Sequence, residues 1–208
     1  MKLRKYFNIS KNKLFPISRS ITGNGLRETL NIIKREFPSM KIKFYKSGSK
    51  VFDWRIPPEW NIHDAYVVDK NNNKIIDFKK NNLHVVSYSK PVNKFISTNE
   101  LLNKLYISKK RPNAIPYVTS YYKRDWGFCT SLKHKNKIKK MYDPKDKFRV
   151  VIKSNFKKKG NLNIGELIIK GKCKKEIIIS TYICHPSMAN NELSGPTVSM
   201  GLINNFQK

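Results

Sequence analysis

"STYICHPSMANNELSGP", residues 180–196, is the stretch on which the fold turns. It continues an apolar run, Ile177, Ile178 and Ile179, through Tyr182 and Ile183 up to His185. Apolar residues on both faces predict a strand over 177–183 buried between two layers. Beyond the polar loop, "SGPTVSMGLINNFQK" places Val198, Leu202, Ile203 and Phe206 on one helical side, with Pro196 near a first turn that tolerates its missing N–H. A buried strand feeding a helix through a polar loop is half of an α/β unit, and ligand sites in such sheets lie beyond the carboxyl ends of the strands. His185 stands at that point.

A zinc ligand needs an imidazole lone pair, a fixed ring and neighbours that complete the coordination sphere. Around His185 the loop offers Ser187, Asn190, Asn191 and Glu192, of which only Glu192 carries a negative charge. The spacing also permits a plainer role, a histidine that ends a strand and bonds a loop carbonyl. Cys184 is read as a small core residue, because adjacent side chains on a strand point to opposite faces and cannot pair as Cys-His. Ser187 and Ser194 lack a nucleophile-elbow sequence. His63, His84 and His134 are isolated and read as surface or structural histidines, with His63-Asp64 in a turn before "AYVV".

Upstream, Leu26, Leu30, Ile33 and Phe37 recur at helical intervals, with Asn24 as N-cap and Pro38 ending the helix. "KIKFYKSG" alternates lysine with Ile42 and Phe44, a half-exposed strand. "DAYVVDKNNNKIIDF" predicts two short strands around an Asn-rich turn, and "LHVVSYS" a third strand closed by Pro91. Ser97 and Glu100 have the spacing of a capping box and open a short helix. "FRVVIKSNF" and "GELIIKGK" predict two more strands ahead of "EIIISTYIC". The simplest architecture is an α/β core made from the two ends of the chain, 1–50 and 161–208, around a mostly β lobe at 51–160.

The 208 residues carry a net charge of +29, the footprint of a phosphate-binding protein when taken alone. However, the excess is lysine spread along the whole length. The densest clusters, 133–140 and 157–159, fall in expected loops without interleaved aromatic residues, so nucleic acid is not the expected partner. Three cysteines at unrelated spacings, Cys129, Cys173 and Cys184, make neither a disulfide framework nor a zinc module. The basic N-terminus has no apolar run of signal-peptide length, and no segment approaches membrane-spanning length. The expectation is a cytoplasmic protein with no membrane partner.

"ISTYICHPSMANNELSGP" resembles the zinc-site segment of bacterial aminopeptidase-like proteins found with surface-polysaccharide biosynthesis genes and distantly related to the di-zinc aminopeptidases. "LFPISRSITGNGLRETL", "VFDWRIPPEWNIHDAYV", "DFKKNNLHVVSYSKPVN" and "AIPYVTSYYKRDWGFC" match the same family, in order, from about residue 14 onward. The resemblance implies a zinc-exopeptidase-like α/β/α core, here incomplete, with an inserted β-rich lobe. It also implies hydrolysis of a peptide or amide by metal-activated water, with His185 as a zinc ligand.

Two departures follow. The family's orienting Asp is replaced by Ser187, and its metal-bridging Asp by neutral Asn191, which brings no charge to offset two dications. A single or weakly bound zinc ion is therefore expected, held by His185 with Asn191 and Glu192, and Ser187 supporting the imidazole. The family's general base and remaining ligands lie downstream of this segment. The chain is accordingly expected to be an N-terminal portion, inactive alone. The rival reading is a non-catalytic module that docks a glycan or protein on Trp54, Trp60, Tyr121, Tyr122 and Trp126.

Overall fold

The computed structural model describes residues 3–207. In chain order the elements begin with α1 (Leu3–Ile9), α2 (Asn24–Glu36), β1 (Lys41–Lys46), β2 (Lys50–Val51), β3 (Trp54–Arg55), β4 (Glu59–Val68) and β5 (Lys74–Asp77). They continue with β6 (Val92–Ser97), α3 (Thr98–Asn103), β7 (Leu105–Tyr106), β8 (Phe128–Cys129), α4 (Leu132–Met141), β9 (Lys147–Lys157), β10 (Asn161–Glu166) and α5 (Ser194–Phe206). The result is a mixed α/β chain with small sheets. It divides into two compact units, one of residues 1–59 with 157–208 and one of residues 60–156.

In the first unit, the basic N-terminal stretch, where no helix is predicted, forms α1 and runs on as a wide π-type turn through Ser10–Leu14. Tyr6, Ile9 and Leu14 point inward and meet α2, whose Leu26, Leu30 and Ile33 form one buried stripe continued by Phe37. The N-cap of α2 is Gly23, at φ 97°, rather than Asn24. Asn24 instead accepts a hydrogen bond from Arg27 at 2.6 Å. Arg27 also forks onto buried Glu59, 2.8 and 2.7 Å from its two oxygens, the paired geometry that makes an arginine–carboxylate contact strong. Strand β1 pairs antiparallel with β10, from Lys41 opposite Glu166 to Lys46 opposite Asn161. Of the strand expected at "GELIIKGK", only Gly165 and Glu166 belong to β10.

The expected buried strand over 177–183 does not form. No strand lies between Glu166 and α5, and Ile177 and Ile178 are 92% and 86% exposed. A strand is stable only when its backbone N–H and C=O groups meet a neighbour, and no described strand runs beside this segment. Helix α5 is present but turns a different face inward from the one predicted. Pro196, Thr197, Met200 and Gly201 are buried, whereas Val198 and Phe206 are exposed. With no sheet beneath it, α5 rests on α1, and Gly201 lets the backbone come close to Leu3. The last residue of the expected helix, Lys208, lies outside the described residues.

The second unit is built on a four-stranded sheet in the order β5-β4-β9-β6. Tyr66 faces Asp77 in the expected β4–β5 hairpin, whose Asn-rich turn is held by Asp69 accepting from the N–H groups of Asn71 and Asn73. Strand β9 meets β6 antiparallel from Phe148 opposite Ile96 to Ile152 opposite Val92, and Phe148, Ile96 and Ile152 point into the core of the sheet. The capping box at Ser97 and Glu100 is present and opens α3.

Three expectations fail in this unit. His63 and Asp64 lie within β4 rather than in a turn, because the strand already begins at Glu59. "LHVVSYS" is not a strand; it makes one 3-10 turn and two isolated bridges, Val85 to Phe128 and Ser87 to Thr119. Tyr88, at φ 64°, breaks the extended run and stacks on Trp60 at 5.5 Å between centroids. The basic cluster at 133–140 is not a loop but most of α4, capped by Ser131 accepting from the His134 N–H at 3.1 Å. Alternating lysines conceal the helical period there, since Ile138 alone of the helix is buried. Among the described residues, no helix is long and apolar enough to cross a membrane.

Candidate metal centre

The loop after Ile183 gathers three chemically distinct donors within the first unit. Pro186 and then Ser187, at φ 47°, reverse the chain, and a wide turn over Ala189–Leu193 delivers Glu192 back toward His185. The turn runs directly into α5. Gly195 lets the Thr181 side chain lie against the start of α5, where an added Cβ would sit 2.0 Å from its hydroxyl oxygen.

Glu192 is 1% exposed. Its Oε1 accepts the His185 backbone N–H at 2.5 Å, and its Oε2 lies 3.1 Å from His185 Nδ1. That second approach is close enough for an ion pair but falls short of hydrogen-bond geometry, so Oε2 is buried without a hydrogen-bond partner. Asn191 Oδ1 is 3.3 Å from the same Nδ1. The Cys184 sulfur, a His185 ring nitrogen and a Glu192 oxygen all lie within 4.8 Å of one another. Among the described residues, this is the one group of three or more His, Cys, Asp or Glu side chains so arranged.

The close approach of Cys184 and then of Glu192, opposed by burial, pushes the imidazole pKa up to about 10. Without a metal the ring is therefore held as an imidazolium beside the Glu192 carboxylate. A bound dication would take the place of that proton.

One residue that sequence reasoning missed anchors the loop. Arg19, in the stretch "FPISRS", is 1% exposed and donates from Nε to the His185 carbonyl at 3.1 Å and from Nη1 to the Leu14 carbonyl. Burial lowers its pKa to about 10, and the nearby charges of Glu192 and Cys184 hold it up. Its signal in the sequence is a place within the family-matching stretch "LFPISRSITGNGLRETL", in a chain whose cations are mostly lysine, and that signal names no partner.

The other candidates separate from this centre. Ser194 Oγ donates to the Asn190 carbonyl at 2.5 Å, which leaves it no role as a nucleophile poised on His185. Ser187 turns the chain beside the site. Cys184 is partly exposed next to His185 rather than buried in a core, because the strand that would have sent the two side chains apart is not formed. In the second unit, His84 Nδ1 meets the Cys129 carbonyl at 2.7 Å and His134 Nδ1 meets Thr130 Oγ1 at 3.0 Å, both structural contacts. Of the aromatic residues proposed as a docking surface, Trp60 and Trp126 are buried and only Tyr122 is widely exposed.

The loop lies within a stretch that nearly spans the chain and on which a family assignment rests. A family profile described as a domain of unknown function, DUF4910, matches residues 8–208. The chain belongs to the DUF4910 family. This DUF4910 chain is 50% identical over 183 residues to a Clostridium acetobutylicum protein named "Putative polysaccharide biosynthesis protein with aminopeptidase-like domain", covering 88% of this chain and 41% of the relative. It also superposes on a crystal structure of a "putative peptidase" from the same species with a TM-score of 0.90 and 44% identity, covering 99% of this chain and 47% of that one. The DUF4910 chain thus spans less than half the length of each relative.

Proposed function

We propose that this chain carries the metal-binding part of an aminopeptidase-like, zinc-dependent hydrolase of peptide or amide substrates. The observation that carries the reading is the buried Glu192 Oε2, which has no hydrogen-bond partner and faces His185 Nδ1. A carboxylate oxygen is stable in such a place only when a cation compensates it, and the imidazolium does so in the metal-free protein. His185 and Glu192 would hold the ion, with the Asn191 amide oxygen as a neutral third donor and Ser187 supporting the loop.

The donors fit zinc, which accepts imidazole nitrogen and carboxylate oxygen in one small site. When bound, the ion supplies a Lewis acid and a water of lowered pKa. The chain's own residues orient it: Glu192 fixes the loop through the His185 N–H, and Arg19 holds the carbonyl on the other side of the same residue. This reading places the general base and further ligands outside residues 1–208, in keeping with relatives more than twice as long.

In the same reading, the first unit is a partial zinc-exopeptidase-like core, expected at 1–50 and 161–208, and the segment 51–160 an inserted lobe. The name of the Clostridium relative supports a role beside polysaccharide biosynthesis. To this the reading adds a cytoplasmic location and a small peptide or amide, rather than nucleic acid, as substrate. The test is metal content. Purified protein is expected to bind one zinc per chain, measured by elemental analysis and titration, and to lose it on His185→Ala and on Glu192→Gln. Glu192→Gln keeps an oxygen to accept the His185 N–H while removing the charge. Zinc binding unchanged by either substitution would overturn the proposal.

A further inference from the structure

The cluster contains a group that the zinc reading above does not use. Cys184 and His185 are neighbours in the chain, and in an extended strand their side chains would diverge. Here the segment is not a strand, and the reversal at Pro186 and Ser187 lets sulfur and imidazole converge on the space before Glu192. The three ligand atoms, all within 4.8 Å of one another, approach the separations expected of donors sharing one ion with bonds of about 2.0–2.3 Å. The further sign of a ligand is Glu192 itself, 1% exposed, with Oε2 turned into the cluster, without a hydrogen bond and 3.1 Å from His185 Nδ1.

Charge favours the same assignment. Asn191 brings no charge, so His185, Asn191 and Glu192 together offer one negative charge to a dication. A Cys184 thiolate raises this to two, which neutralises the ion. We propose that Cys184 is a metal ligand, so that the site is a thiolate–imidazole–carboxylate set selective for zinc and similar borderline ions over magnesium or calcium. On binding, the sulfur–metal and nitrogen–metal bonds form as the thiol proton and the extra imidazolium proton leave to solvent; no electron transfer is involved.

The proposal rests on the zinc reading, and the experiment separates the two. The full chain, carrying Cys173→Ser to remove the exposed thiol, is loaded with cobalt(II) under reducing, oxygen-free conditions. The expected result is one cobalt per chain with a thiolate-to-cobalt charge-transfer band in the near ultraviolet. Cys184→Ser and Cys184→Ala should abolish the band and weaken cobalt and zinc binding at least about tenfold, with unchanged circular dichroism showing that the variants fold. Magnesium in large excess should not displace the cobalt. Cobalt bound in a His185-dependent way without the band, or a band that survives Cys184→Ser, overturns the cysteine assignment while leaving the zinc site standing. Failure of the parent protein to bind cobalt or zinc overturns both.

Discussion

Arg19 Nε donates to the backbone carbonyl of His185 at 3.1 Å, across 166 residues of sequence. The bond ties the segment before α2 to the candidate metal loop, and it is made by a side chain that is 1% exposed. A buried guanidinium is costly unless its donors are used. Two of its nitrogens are on carbonyls, and its charge is felt by Glu192 and Cys184.

Arg19→Met should therefore destabilise the first unit by about 2–3 kcal/mol, because it leaves the Leu14 and His185 carbonyls without donors and Glu192 without a buried cation. Arg19→Lys keeps the charge, but one nitrogen cannot span both carbonyls, so a smaller loss is expected. Urea unfolding of the three proteins measures the order, and equal midpoints would refute it.

Gly25 governs the same segment from the side of α2. A Cβ there would stand 2.0 Å from the Ser18 carbonyl oxygen, the residue next to Arg19. Gly25→Ala should cost roughly 2–3 kcal/mol, as backbone has to move to admit a methyl group. Gly48→Ala is the control: its added carbon meets nothing within 4 Å, and only the positive φ of 88° is strained, for about 1 kcal/mol. The ranking is read from thermal midpoints.

The exposed isoleucines give a prediction that contradicts their hydrophobic pattern. Ile178→Lys should change stability by no more than about 0.5 kcal/mol, since the side chain is 86% exposed. Leu30→Ala, in the core of the same unit, should cost about 3 kcal/mol. A loss of that size at Ile178 would show that the segment is buried in solution.

In the second unit the two histidines set a pH dependence. Burial lowers the pKa of both; His84 and Lys137 push His134 down further, whereas Asp77 and the Cys129 carbonyl draw His84 back up. The unfolded chain takes up protons near pH 6.5 and the folded one only below it. Their contribution is thus fully present above pH 6.5 and is lost as pH falls through the lowered folded values. The denaturation midpoint should drop between about pH 8 and about pH 5, and His84→Gln with His134→Gln should flatten that drop.

What the sequence determined by itself is local. The stripe of α2, the Ser97 capping box, the Asp69 hairpin and the long strand β9 all follow from periodicity and caps acting over a few residues, where the interaction partners are neighbours in the chain. His185, Asn191 and Glu192 could be singled out together for the same reason, being only 7 residues apart at most. The tertiary structure alone decided which face of α5 is buried, that 177–183 is exposed rather than a buried strand, that Cys184 turns toward His185, and that Arg19 reaches the loop. Each of these depends on what stands beside the residue after the chain has doubled back. Hydrophobic patterning records a side chain's tendency to leave water, and carries no information about whether a surface is there to receive it.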